Sequence, residues 1–293
     1  MTASITWQLT REHGKIGTGN WAAFPKERLD DLFAAAEGWK TAVRGIERPW
    51  LCWCVDDEWC SLQQQLVLAA GWTPVVGTDG NVRTPRVMPG SVFVNFNERL
   101  QLPVMWMHFP LDFVHHFCER LAFWHSDVLP PVSVMRRIAN QFDAIADGEL
   151  IAILGAGGPL QWINRWRAGK QAFHKRWKEF TGCTTAGASR SMWEHGAGWW
   201  RYPQQHPNPN STIIEQDPFR EHGVGVWMWH RHCGGRVREL CVDIERWHYS
   251  NRHPDYVRLR DANKKIADSK RDELNRSFDL DTIRRGLGLE DHV

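Results

Sequence analysis

The chain has 293 residues, 42 % hydrophobic and 24 % charged, with a formal net charge of +2. A chain of this length buries enough apolar surface to fold without disulfides, and the composition excludes disordered, collagen-like and disulfide-framework proteins. A charge of +2 is too small to argue for nucleic acid by itself, and no window approaches the ~18 continuous apolar residues of a membrane span.

Residues 1–49 read as an N-terminal lead-in without the apolar run of a signal peptide, and 25–40 (PKERLDDLFAAAEGWK) predicts a helix with Pro25 near its start. The run 50–57 (WLCWCVDD) predicts a buried strand ending in two acids. Helical spacing follows over 59–72, ending on Gly71, and 73–80 (TPVVGTDG) reads as a second strand and turn. Strand, helix, strand in this order is the sign of a parallel sheet with helical crossovers. Further strands are predicted at 91–96, 121–124 and 149–154, with helices at 110–120 and 131–145. After residue 155 the texture changes. A Trp- and Arg-rich helical region is predicted over 160–180, a stretch of small residues follows at 182–200, and 223–232 (GVGVWMWHRH) alternates like a strand. An amphipathic helix is predicted over 255–274. The class expected is α/β: a Rossmann-like sheet flanked by helices, with a mixed α+β C-terminal part. The expected divisions are a lead-in over 1–49, a main domain over 50–250 and a helical tail over 251–293.

Seven cysteines, an odd number without a paired C-x-x-C repeat, predict reduced thiols in a cytoplasmic protein. Tryptophan is the compositional outlier, with 18 copies against 3 Tyr; such residues either line sites for sugars and bases or fill the core.

In open parallel sheets, ligands bind outside the carboxyl ends of the strands. Asp56, Asp57, Asp79 and the triplet His125-Ser126-Asp127 all fall at predicted strand ends, so they are expected to converge on one crevice. A carboxylate and an imidazole there can hold a divalent cation, and the cation can neutralise a diphosphate. The competing reading of Asp127 is a helix N-cap. On a strand, the period of two puts His230 and His232 on one face, a two-ligand arrangement for a metal. Basic and aromatic residues interleave from Trp162 to Lys178; they suit either phosphates and bases or a solvated helix face. The G-x-G-x-x-G, G-x-x-x-x-G-K-[ST] and G-x-S-x-G signatures do not occur.

The segment LAFWHSDVLPP (121–131) resembles the strand that runs into the Asp-x-Asp motif of GT-A glycosyltransferases, with Asp127 at the last acid and His125 where the family usually carries Asp. The resemblance extends in element order over roughly 48–200. It implies Mn2+ or Mg2+ held by Asp127 and a late histidine, His230 or His232, joined by His125. It also implies a nucleotide-sugar donor contacted by Asp56, Asp57, Asp79, Ser126 and Arg190. The segment GASRSMWEHGAGWW (187–200) is similar to the part that shapes the family's acceptor site, which makes Glu194 or His195 the expected base beside catalytic Asp127. The expected acceptor is a hydroxyl, with a modified base in DNA as one candidate and no membrane partner. Two alternatives stand beside it. One is a non-catalytic nucleic-acid or glycan-binding protein using the Trp/Arg surface. The other is a metal-dependent hydrolase built on the H-x-H pair.

Overall fold

The structure, a computed structural model, describes residues 8–10, 20–22, 28–78, 80, 84–102, 105, 107–155, 176–199, 223–249 and 278–289. Gln8–Thr10 (β1) and Asn20–Ala22 (β2) form a small antiparallel pair. The other described strands form one seven-stranded sheet.

The chain enters that sheet in its middle. Pro49–Trp53 (β3) is followed by Asp57–Ala69 (α2), Thr73–Thr78 (β4) and Val92–Asn95 (β5), with Leu29–Ala42 (α1) preceding them. It then crosses through two short helices, His108–Leu111 (α3) and Val114–Phe117 (α4), to Arg120–Trp124 (β6) on the other side of β3. Val132–Asp143 (α5), Glu149–Gly155 (β7) and Arg176–Thr185 (β8) follow, then Ala186–Glu194 (α6), Val224–His232 (α7), Arg236–Glu239 (β9) and Leu280–Leu287 (α8). The strand order is β5-β4-β3-β6-β8-β7-β9, and β8 alone runs against the rest.

The two-residue period of the strands splits the core between the two sheet faces. Leu51 and Trp53 join Leu32 and Trp39 of α1, Phe109 and Phe117 on one face; Trp50, Cys52 and Val76 join Leu66 of α2 and Met135 and Phe142 of α5 on the other. Most described tryptophans are core: Trp50, Trp124, Trp199 and Trp229 are almost fully buried. All seven cysteines are free thiols, and burial holds those of Cys52 and Cys183 far above the usual range. No helix among the described residues is long and apolar enough to cross a membrane.

Four sequence expectations change. The helix within 1–49 is no lead-in, since Leu32, Ala35, Ala36 and Trp39 of α1 pack into the core. The helix expected over 110–120 breaks into α3 and α4 and gives way to strand at Arg120. Residues 176–180, expected as the end of a helix, are strand, and Trp177 is buried rather than available to bases; the basic-aromatic run 160–175 lies outside the described residues, as does the helix expected at 255–274. Residues 224–232 are helix, not strand. Gly223 adopts φ 76° ahead of the first turn, where a side chain is disfavoured, and Val226 and Trp229, three apart, bury on one helical face. Alternation of small and large apolar residues imitated the strand period. In the expected tail, Ile283 and Leu287 of α8 pack on the α2/α5 face.

Candidate metal centre

Chain order reverses between β3 and β6, and the carboxyl ends of these two parallel strands lie side by side. The triplet begins where β6 ends, and its backbone is clamped from three directions. The His125 amide donates to Phe180 O of β8 (3.0 Å). The carboxamide of Gln63, buried on α2, donates to His125 O at 2.7 Å. Opposite the triplet, Val128 and His248 form an isolated antiparallel bridge, with Leu129 N–H to Trp247 O at 3.1 Å and Tyr249 N–H to Asp127 O at 3.0 Å. That bridge fastens a distant segment alongside Asp127.

His248 is the consequence. Its Nε2 lies 3.2 Å from Asp127 Oδ1 and 3.1 Å from His125 Nδ1. Phe180 packs its ring against both imidazoles, with centroids 5.1 Å from His125 and 4.8 Å from His248. Asp127 and His248 are buried, while the His125 side chain is 26 % exposed and opens the group to solvent. On the far side of His125, Glu179 Oε1 stands 3.4 Å from Nε2, and the same oxygen is 3.7 Å from His108 Nε2. Two overlapping groups can therefore offer three donor atoms within 4.8 Å of one another: His125, Asp127 and His248, and His108, His125 and Glu179.

The first group fits a divalent cation by its chemistry. Two imidazoles and one carboxylate form a set that first-row transition ions accept. Donors bound at about 2.1 Å and at roughly right angles lie about 3 Å apart, close to the 3.1 and 3.2 Å found here. Asp127 is not a helix cap: α5 begins after Pro131, with no side-chain cap bond.

The other expected site residues are distributed differently. Ser126 is half-buried in the turn between His125 and Asp127. Asp56 Oδ1 caps α2, accepting from the Glu58 and Trp59 amides. Asp57 Oδ1 accepts from the Arg86 amide and the Cys54 thiol. Both acids therefore fasten the β3–α2 turn, and Asp79 lies outside the described residues. Arg190, Glu194 and His195 are exposed on or just past α6, which lies against α4. There Trp193 packs against Phe113, His115 and His116, and burial, aided by the charge of Arg190, lowers the pKa of His116. None of the three belongs to either donor group.

The shared strand face expected for His230 and His232 does not form, because 224–232 is helix. Two residues apart on a helix, they point about 200° apart around its axis. His230 Nδ1 bonds to Gly235 O at 2.7 Å, and His232 sits by Trp227. The late histidine that stands beside His125 and Asp127 is His248. His108, Glu179 and His248 carried no local signal, since 123 residues separate His125 from His248 and the tertiary bridge alone joins them.

No protein-family model, curated protein or solved structure matches the chain.

Proposed function

We propose that the chain is a metal-assisted glycosyltransferase of the GT-A type, moving a sugar from a nucleotide-sugar donor to a hydroxyl acceptor. The observation that carries this reading is the position of His125, Asp127 and His248. They stand at the carboxyl ends of parallel strands where chain order reverses, which is where open α/β sheets bind nucleotides. The Asp-x-Asp-like position of Asp127, with a late histidine brought to it, adds support.

Asp127 would supply the anionic donor and His125 and His248 the nitrogen donors. A divalent cation bound there stabilises the charge that grows on a departing nucleoside diphosphate. Two imidazoles favour Mn2+ over Mg2+, which prefers oxygen ligands. The half-exposed edge of His125 is where the diphosphate would approach. Phe180 packs against both imidazoles, and Asp127 and His248 are buried. Of the two residues proposed for the acceptor, His195 is the better base. Its Nδ1 faces Ser191 O at 2.7 Å, a carbonyl that only accepts, so Nε2 keeps the lone pair that can take a proton. The H-x-H pair on which the hydrolase alternative is built lies on helix α7, not on a strand.

Thermal-shift measurements on the purified chain with UDP, GDP, CDP and TDP, each with and without Mn2+, test the proposal. A ligand that binds only the folded state raises Tm. One nucleotide should give a Mn2+-dependent rise that Asp127→Ala abolishes. Metal-stimulated phosphoester hydrolysis with no nucleotide shift would replace it by the hydrolase reading. Metal-independent, salt-sensitive DNA binding would replace it by the binding-protein reading.

A further inference from the structure

We propose that Glu179, backed by His108, is the positioning residue of this centre. It holds the proton of His125 on Nε2 and so turns the Nδ1 lone pair toward Asp127 and His248. The inference rests on the metal centre of the proposed function but not on any nucleotide or sugar.

Glu179 reaches His125 because β8 is irregular there. The β6–β8 register is continuous from Arg120↔Thr185 to Trp124↔Thr181, yet on the other side the β7–β8 register shifts between Ile151, paired with Cys183, and Ile153, paired with Lys178. The extra residues of β8 lie between Lys178 and Cys183. Bulges of this kind re-aim side chains beside functional sites, and this one holds Glu179 under His125 and His108 with 4 % side-chain exposure. The bulge needs Gly182, where any Cβ would sit 2.5 Å from the Phe123 ring and closer still to the Ile151 carbonyl.

A buried carboxylate is costly unless it is compensated, and an apolar residue would fill a strand position at less cost. Here one oxygen faces two imidazoles. A carboxylate only accepts, so an imidazole nitrogen turned to it is favoured in its N–H form. A neutral imidazole carries one proton. With that proton on His125 Nε2, the lone pair is on Nδ1, the atom 3.1 Å from His248 Nε2. At 3.4 Å the contact is longer than the usual ~2.9 Å of an N–H···O bond, so it acts by charge and orientation. A carboxylate behind a ligating histidine is a recurrent way of fixing ring orientation and raising ligand basicity.

The proton on His125 Nε2 also fixes how the two donor groups relate. They share His125 but use different nitrogens. Two cations on one imidazole would require removing its last proton, so the groups form one centre and its support, with one cation per chain.

Two measurements on the full chain test this. In the metal-free protein, 15N NMR of the imidazoles, with the His125 signals assigned by their loss in His125→Gln, should show the proton on Nε2. Glu179→Gln should shift it toward Nδ1 or mix the two forms. Titration with Mn2+ should give one site, weakened ~10- to 100-fold in Glu179→Gln, with partial recovery in Glu179→Asp. If Glu179→Gln folds poorly, His108→Gln, which removes the backing imidazole, should weaken Mn2+ binding in the same direction. Nε2 unprotonated in the parent chain, Mn2+ affinity unchanged in the folded variants, or two ions per chain would overturn the inference. Metal binding that responds to Glu179 but is unaffected by every nucleotide would sink the glycosyltransferase reading alone.

Discussion

In the half of the sheet made by β5, β4, β3 and β6, every strand runs the same way and every register is continuous; in the half made by β8, β7 and β9, one strand is reversed and one register breaks. The first half is held by apolar filling. Trp50 alone packs against Trp72, Trp124 and Phe142. The second half supplies Glu179 and Phe180 and the carbonyl that clamps the His125 amide. The regular half provides the strand end that carries His125 and Asp127, and the irregular half brings Glu179 and Phe180 beside it. His125 and Asp127 sit on the seam.

The largest expected effect is in the regular half. Trp50→Ala should cost about 3–5 kcal/mol, from lost burial and the cavity left behind, read by urea unfolding. Mn2+ affinity should be unchanged wherever the variant is folded, because Trp50 faces the α2/α5 core. Gly182→Ala should cost about 1–3 kcal/mol through overpacking against Ile151 and Phe123. Unlike Trp50→Ala, it should also weaken Mn2+ binding, since it displaces the bulge that carries Glu179. If both variants lower stability and leave metal affinity alone, the division of labour between the halves is wrong.

The same division explains what the sequence disclosed. The strands WLCW and LAFW, the crossover α2 and the triplet's place at a strand end follow from apolar periods and turns within a few residues. A late histidine beside Asp127 is only what the resemblance to GT-A glycosyltransferases implies. The approach of His248 follows from no local pattern, because the bridge between Val128 and His248 is a long-range event with no local period. Glu179 was hidden in KRWKEF, whose mixed charges and aromatics read as helix; only pairing on both sides, with β6 and β7, makes it strand. GVGVWMWHRH failed for the opposite reason: a clean local alternation was overruled by Trp229 and Val226 docking as a helix in the core. Acids at strand ends were read as donor contacts, but Asp56 serves the nearer need of the helix it begins.

Asp56→Ala measures that need. Loss of an N-cap of this kind costs about 1 kcal/mol, because the Glu58 and Trp59 amides lose their acceptor. The chain should lose that stability by urea unfolding and keep its Mn2+-dependent nucleotide shift. A lost shift with unchanged stability would return Asp56 to the donor site.

His232→Gln is expected to do least, and it sharpens the comparison from the irregular side. His232 is exposed near the end of α7, turned away from His230, and its ring rests on Trp227. Substitutions at such surface positions stay within about 0.5 kcal/mol of neutral. Mn2+ affinity should match the parent chain, whereas His248→Gln, which removes a nitrogen 3.2 Å from Asp127 Oδ1, should weaken it severely. The pair of variants separates the two late histidines by geometry alone. On a strand His232 would share a face with His230 and could reach a common ion, and on a helix it cannot. A metal affinity that fell with His232→Gln and held with His248→Gln would move the centre from the bridge at Val128 to the segment 224–232 and undo the helix there.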